Sequence, residues 1–201
     1  MYQPDQRPAM NTILCRIISI LTAMVITLGV IILIVYFLFK PRYPEIRVDS
    51  AELTSLSFSG DYLNAKWDIK FIVSNPNKKL DITYNLVSSG VFYGRDKNQF
   101  GNIATTKLQP FYQPRKGKTL FPVHFEAFHT YVGNVVANGI TGGRFHGSVK
   151  FGVVFNAIIK RKGWFHPKDS LLKVSCNPMN FVPSTNAAVW VLQRPVKCEL
   201  I

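Results

Sequence analysis

The longest uniform stretch of the chain is apolar. Ile17 to Phe39 runs 23 residues without a charged side chain, bracketed by Arg16 and by Lys40-Pro41-Arg42. A helix of that length rises roughly 35 Å, enough to cross a hydrocarbon core of about 30 Å. Lipid offers the backbone no partner, so such a run has to be helical there. Tyr36, Phe37 and Phe39 suit one membrane interface, and Pro41 stops the helix. A core helix would show a polar stripe, whereas only Ser19, Thr22 and Thr27 are scattered through this run. A cleaved signal peptide has an apolar region of about 7–15 residues followed by small residues. Here the run is longer and Phe39-Lys40-Pro41-Arg42 follows. The pattern predicts a short tail at 1–16, polar and disordered through Thr12, and one uncleaved span at 17–39. A stiff spacer follows at 40–45, and then a domain at 46–201.

Past the spacer the hydrophobic period changes to two. Leu63, Ala65, Trp67, Ile69, Phe71 and Val73 alternate with Asn64, Lys66, Asp68 and Lys70, the mark of a strand with one face in a core and one in water. The same alternation recurs at Ile82, Tyr84 and Leu86, and at Phe121, Val123, Phe125 and Ala127. It returns over Phe145, Gly147, Val149, Phe151, Val153 and Phe155, and again at Leu172, Val174 and Cys176. Asn75-Pro76-Asn77, Gly94, Gly117 and Gly142-Gly143 read as turns between them. About seven strands without βαβ alternation predict an all-β, two-sheet antiparallel sandwich. One stretch has helical spacing: Tyr131, Val132, Val135 and Val136, with Thr130 as a cap and Gly139 as a stop. A single short helix is expected there.

Charge and cysteines add direction. Of 24 basic and 11 acidic residues, 22 and 10 lie from Lys40 onward, a net +12 on the large domain. That excess points to an acidic partner, either anionic headgroups or acidic polysaccharide, with nucleic acid excluded by the membrane anchor. Cys176 and Cys198 would pair if the domain is translocated and stay reduced in the cytosol. Cys15, beside the span, is either a palmitoylation candidate, which needs the cytosolic side, or an ordinary small residue at a helix end. Together these favour a cytosolic amino terminus and an outer domain. Ser19, Thr22 and Gly29 make no small-residue face for helix pairing, and the oligomeric state stays open.

Catalytic signatures are missing. The sequence has no Gly-X-Ser-X-Gly elbow, P-loop or dinucleotide fingerprint. His124 and His129 are five apart and would face opposite sides of one strand, and the carboxylates are scattered. The expectation is no enzyme, no metal and no cofactor. The best binding candidate is the hairpin between the last two long strands, where Lys160, Arg161, Lys162, Trp164 and Lys168 bring cations around aromatic rings.

Four motifs occur in order: Phe71-Ile72-Val73-Ser74-Asn75-Pro76-Asn77, then Tyr84, then Phe92-Tyr93-Gly94, then Pro110-Phe111-Tyr112-Gln113. With the late pair Cys176 and Cys198, this string resembles the plant family of harpin-induced and non-race-specific disease resistance-like proteins. Those proteins carry a late-embryogenesis-abundant type 2 domain behind one span. The resemblance implies an immunoglobulin- or fibronectin-like sandwich with a short helix, plasma-membrane residence and a part in defence, with immune-signalling proteins as further partners. Some members are credited with wall adhesion through Asn-Gly-Asp, but this chain has Asn138-Gly139-Ile140 there, and Gly94-Arg95-Asp96 is not that tripeptide either. The competing reading is a lipid-binding or membrane-protective sandwich, since fifteen phenylalanines suit either a filled core or a lined groove.

Overall fold

The structure, a computed structural model, describes residues 7–94, 101–162, 169–185 and 188–201, with the side chains of 7–11, 38 and 39 excepted. It divides into two units, Met1–Pro41 and Arg42–Ile201. The first unit is helix α1, Arg7–Phe39. Its stretch Thr12–Phe37 holds an 18-residue window with a mean hydropathy of 2.9 and no buried residue, and is long and apolar enough to cross a membrane. The helix starts ten residues before the expected Ile17 and takes in Arg7–Thr12, which the sequence left as disordered tail. Pro8 stands in the first turn, where its missing N–H would have no partner in any case. Within the run, Thr22 donates to the carbonyls of Ile18 and Ser19, and Thr27 to that of Met24, each at 2.9 Å. The hydroxyls are thus satisfied inside the helix, which makes them tolerable in lipid.

The second unit is built from alternation. Strands β1 (Glu45–Ser59), β2 (Tyr62–Ser74), β3 (Asp81–Phe92), β4 (Asn102–Lys107), β5 (Phe111–Gln113) and β6 (Lys118–Tyr131) precede helix α2 (Asn134–Phe145). Strands β7 (Val149–Lys162), β8 (Asp169–Pro183), β9 (Val189–Leu192), β10 (Val196–Lys197) and β11 (Glu199–Leu200) follow it. They form one antiparallel path, β4-β3-β7-β8-β9-β1-β2-β6, with β5 on β3, β10 on β1 and β11 on β8. The terminal strands β4 and β6 approach each other, so the sheet wraps into an almost closed, sandwich-like shell. The predicted all-β class holds, with β1, β4, β5 and the short strands β9 to β11 added to the alternating stretches read above.

In β2 and β6 the inward residues are those the period named, and the outward ones pair across the strands: Lys66 with Glu126 at 3.0 Å, and Asp68 with His124. Elsewhere the phase slips. In β3 the register shifts between Asn85 and Ser88, so Leu86, with a φ of 47°, turns outward and is 76% exposed while Val87 goes in. An extra residue in one strand reverses every face beyond it. The strand expected from Phe145 begins at Val149. Phe145 ends α2, 91% exposed, and Gly147 takes a φ of 71° in the turn between.

Helix α2 also lies later than expected. Thr130 belongs to β6, which stays paired with β2 as far as Tyr131, and Gly139 is interior to the helix rather than its stop. The buried face is Val136, Ala137 and Ile140. Gly139 is required because a Cβ there would collide with the Tyr93 ring. Gly142-Gly143, read as a turn, is helical as well.

The interior is filled by aromatic side chains. Phe151 meets Trp67 edge-on at 5.3 Å and Phe181 at 5.9 Å, while Phe71 and Phe155 lie 6.0 Å apart. Such offset and edge-to-face pairs are the favoured geometry. Beside this cluster Tyr84 is buried, stacked on Phe111 at 4.2 Å, and donates to Gln113 Oε1 at 3.0 Å. Burial pushes its phenol well above the usual range, against a smaller opposing pull from Arg161. The folded state therefore holds this proton more tightly than the unfolded chain does. Stability should stay flat up to about pH 10 and fall as pH rises beyond it. Denaturant midpoints across that range should show the decline, and Tyr84→Phe should reduce its slope.

Candidate functional site

One end of the shell collects most of the motif residues and the free cations. The sheet register places Glu45 opposite Ser74, Ser74 opposite Lys118, Asp81 opposite Lys162 and Lys160 opposite Asp169. The start of β1, the 75–80 and 114–117 connections and the end of β7 therefore share this end. It is also where the chain arrives from the first unit, through Arg42, Tyr43 and Pro44.

Asn75-Pro76-Asn77 is a clamp on that arriving segment. Both asparagines are buried. Asn75 Nδ2 donates to the carbonyls of Leu80 at 2.9 Å and Pro114 at 3.1 Å, and its Oδ1 accepts from the backbone N–H and Nδ2 of Asn77. Asn77 in turn accepts from the Arg42 N–H and donates to the Arg42 carbonyl, both at 2.8 Å. An asparagine side chain copies the donor and acceptor of a peptide unit, so Asn77 pairs with residue 42 as a neighbouring strand would. Gln113 extends the network, donating to the Val73 carbonyl at 2.8 Å and to Thr119 Oγ1 at 3.2 Å.

The other motif residues are structural too. Phe92 and Tyr84 are buried, Phe111 and Tyr93 pack against the core, and Gly94, at a φ of 101°, offers its carbonyl to Asn177 Nδ2. Pro110 precedes β5, and Tyr112 faces out. Cys176 of β8 is bonded to Cys198, with their Cα atoms 4.1 Å apart, and Cys198 N–H donates to the Ile46 carbonyl at 3.0 Å. Cys15 is a free, exposed cysteine on α1. Among the described residues no three potential metal ligands converge.

Around the clamp the surface is cationic. An open cleft of about 660 Å³ lies between β10, the start of β1 and the 116–118 stretch, lined by Arg47, Lys116, Lys118 and Lys197 with Glu45 as its one carboxylate. Arg47 is paired with Asp49 at 3.0 Å, and Arg115 with Asp81 at 3.5 Å. Lys116, Lys118 and Lys197 are exposed and have no carboxylate within 4.0 Å among the described residues. Of the hairpin candidates, Lys160, Arg161 and Lys162 close β7 at this same end. Arg161 is half-buried, its guanidinium 4.8 Å from the centre of the Tyr43 ring, so its charge is used internally. Trp164 and Lys168 lie outside the described residues. Lys116 and Lys118 were visible in the sequence as the run Arg115-Lys116-Gly117-Lys118. Lys197 joins them only through the pairing of β10 with β1, Lys197 opposite Arg47.

No family model matches the chain. Among curated proteins, NDR1/HIN1-like protein 10 of Arabidopsis thaliana is 23% identical over 193 residues, covering 93% of this chain and 83% of that protein. NDR1/HIN1-like protein 2 of the same plant is 26% identical over 171 residues, covering 83% of this chain and 69% of that protein. Its relatives are NDR1/HIN1-like proteins. An uncharacterized Arabidopsis protein aligns equally fully, at 24% identity over 193 residues, 94% of this chain and 84% of that protein. A solved protein from Archaeoglobus fulgidus overlaps 68% of this chain and 98% of its own at 10% identity, and its TM-score of 0.34 carries no argument. The names of these relatives agree with the resemblance carried by the four motifs.

Proposed function

We propose that this relative of the NDR1/HIN1-like proteins is a single-pass plasma-membrane protein with a cytosolic amino terminus. Its outer β domain takes part in plant defence by binding, without catalysis, and the ligand class is acidic. The observation that carries this reading is the Cys176–Cys198 bond in the unit that follows an apolar helix. Disulfides persist in oxidising compartments and are rare in the cytosol. The cationic cleft supplies the acidic preference, and the buried phenylalanines pack on one another rather than line it.

Thiol alkylation of plant membranes tests it. Cys176 and Cys198 should resist alkylation until reduced, while Cys15 reacts at once unless acylated. In sealed right-side-out vesicles the carboxyl-terminal domain should be open to external protease. Prompt alkylation of both late cysteines together with a protected domain would place it in the cytosol and end this reading.

A further inference from the structure

Cations are denser at one end of the shell than at the other, and chain connectivity decides which end lies nearer the bilayer. Only residues 40–44 separate the end of α1 from β1. Five residues span at most about 18 Å even when fully extended. The end of the domain that holds Arg42 is therefore tethered close to wherever α1 leaves the membrane. At that end Arg42, Lys116, Lys118, Lys160, Lys162 and Lys197 are all exposed. The opposite end carries the β1–β2 turn, the residues from Phe128 to Gly133 and the turn after α2. There the described charged residues include Asp61, Arg144 beside Phe145 and Lys150 just past the turn, and the exposed large side chains include Phe128, Tyr131 and Phe145, at 81%, 66% and 91%.

We infer that the tethered end is a footing on lipid headgroups: its free lysines rest on the phosphates of anionic lipid in the same bilayer that holds α1. This rests on the anchored reading above and goes further, naming lipid phosphate as the acidic ligand. Three features favour lipid over wall polysaccharide. The cations lie at the tethered end, where a polymer beyond the membrane would be hardest to reach. Among the described residues Lys116, Lys118 and Lys197 have no carboxylate partner to give up on binding. The clamp at Asn77 fixes the orientation of the last residues of the tether on the domain, so the cations are presented on a short, constrained lead. Cations near an anionic surface act additively and are weakened by salt. Seated this way, the domain turns its aromatic end away from the bilayer.

The test uses the full chain reconstituted into liposomes of zwitterionic lipid alone, or with about 30% of an anionic phospholipid. A membrane-impermeant amine reagent is applied and the modified lysines are read by mass spectrometry, with exposed Lys150 near the other end as the internal reference. Lys116, Lys118 and Lys197 should react roughly tenfold more slowly on anionic liposomes, with high salt removing the protection and Lys150 unaffected. In the triple variant Lys116→Gln, Lys118→Gln, Lys197→Gln, whose exposed sites leave the core untouched, Lys160 and Lys162 should lose most of their protection. Equal reactivity on both liposomes overturns the footing while leaving the anchored reading intact. Protection that appears only on adding polygalacturonate overturns it in favour of polysaccharide. A chain that fails to float with the liposomes overturns the anchored reading and the footing together.

Discussion

Phe151→Ala is expected to lower the unfolding free energy by about 4 kcal/mol, the usual scale for emptying a buried phenylalanine site. Phe151 is fully buried and its ring meets Trp67, Tyr93 and Phe181 at 5.3, 6.1 and 5.9 Å. Three aromatic neighbours, from β2, from β8 and from the residue after β3, cannot all collapse into one vacated volume, so the cavity term stays. Against a total of about 5–15 kcal/mol for an ordinary domain, that loss consumes a large share. The denaturant midpoint of the full chain in detergent, followed by tryptophan fluorescence, measures it. Phe145→Ala is the control: at 91% exposure it should cost less than about 0.5 kcal/mol. Equal losses from the two variants would mean that the ring cluster is not the core.

Asn75→Ala should cost about 3 kcal/mol, although it removes little volume. The side chain makes four hydrogen bonds in a buried position, and its loss takes a donor from the Leu80 carbonyl, leaves the Pro114 carbonyl with the Gly117 N–H, and leaves Asn77 without its brace. Asn75→Asp keeps the acceptor for Asn77 but sets a carboxylate against two carbonyls, so it should not rescue. The local signature is more specific than the global one. The Arg42 amide, which donates to Asn77 Oδ1, should exchange its hydrogen much faster in Asn75→Ala, while amides in β7 keep their order of protection. An unchanged Arg42 amide would show that Asn77 grips the arriving chain without help from Asn75.

Both predictions concern features with unequal visibility in the sequence. Strands β2 and β6 were legible because their alternation runs unbroken and one face is dry. The core residue Phe151 was legible for the same reason. The slip at Leu86 was not, because a bulge is a fact of pairing and leaves no mark in a single strand's composition. The sequence places helix α2 too early because Tyr131 and Val132 mimic helical spacing, while pairing with β2 holds Tyr131 in a strand. Asn75-Pro76-Asn77 was legible as a turn, but its grip on Arg42 spans 35 residues, which local chemistry does not encode. The cationic end was half visible: Lys116 and Lys118 stand together in the sequence, while Lys197 and the end of β7 reach them only through the sheet.

The hold of Asn77 on Arg42 also decides how the domain meets force. Tension arriving through residues 40–44 enters at a segment already pinned by two hydrogen bonds, and it then runs along β1. That strand is no edge: β2 flanks it on one side and β9 and β10 on the other. A pull along its axis loads those rows of hydrogen bonds in shear, many at once, instead of opening them one by one from a free margin. Near the pinned segment the tail is cross-linked to β8 through Cys176 and Cys198. The place where the chain enters is therefore also the place where the shell is hardest to unzip.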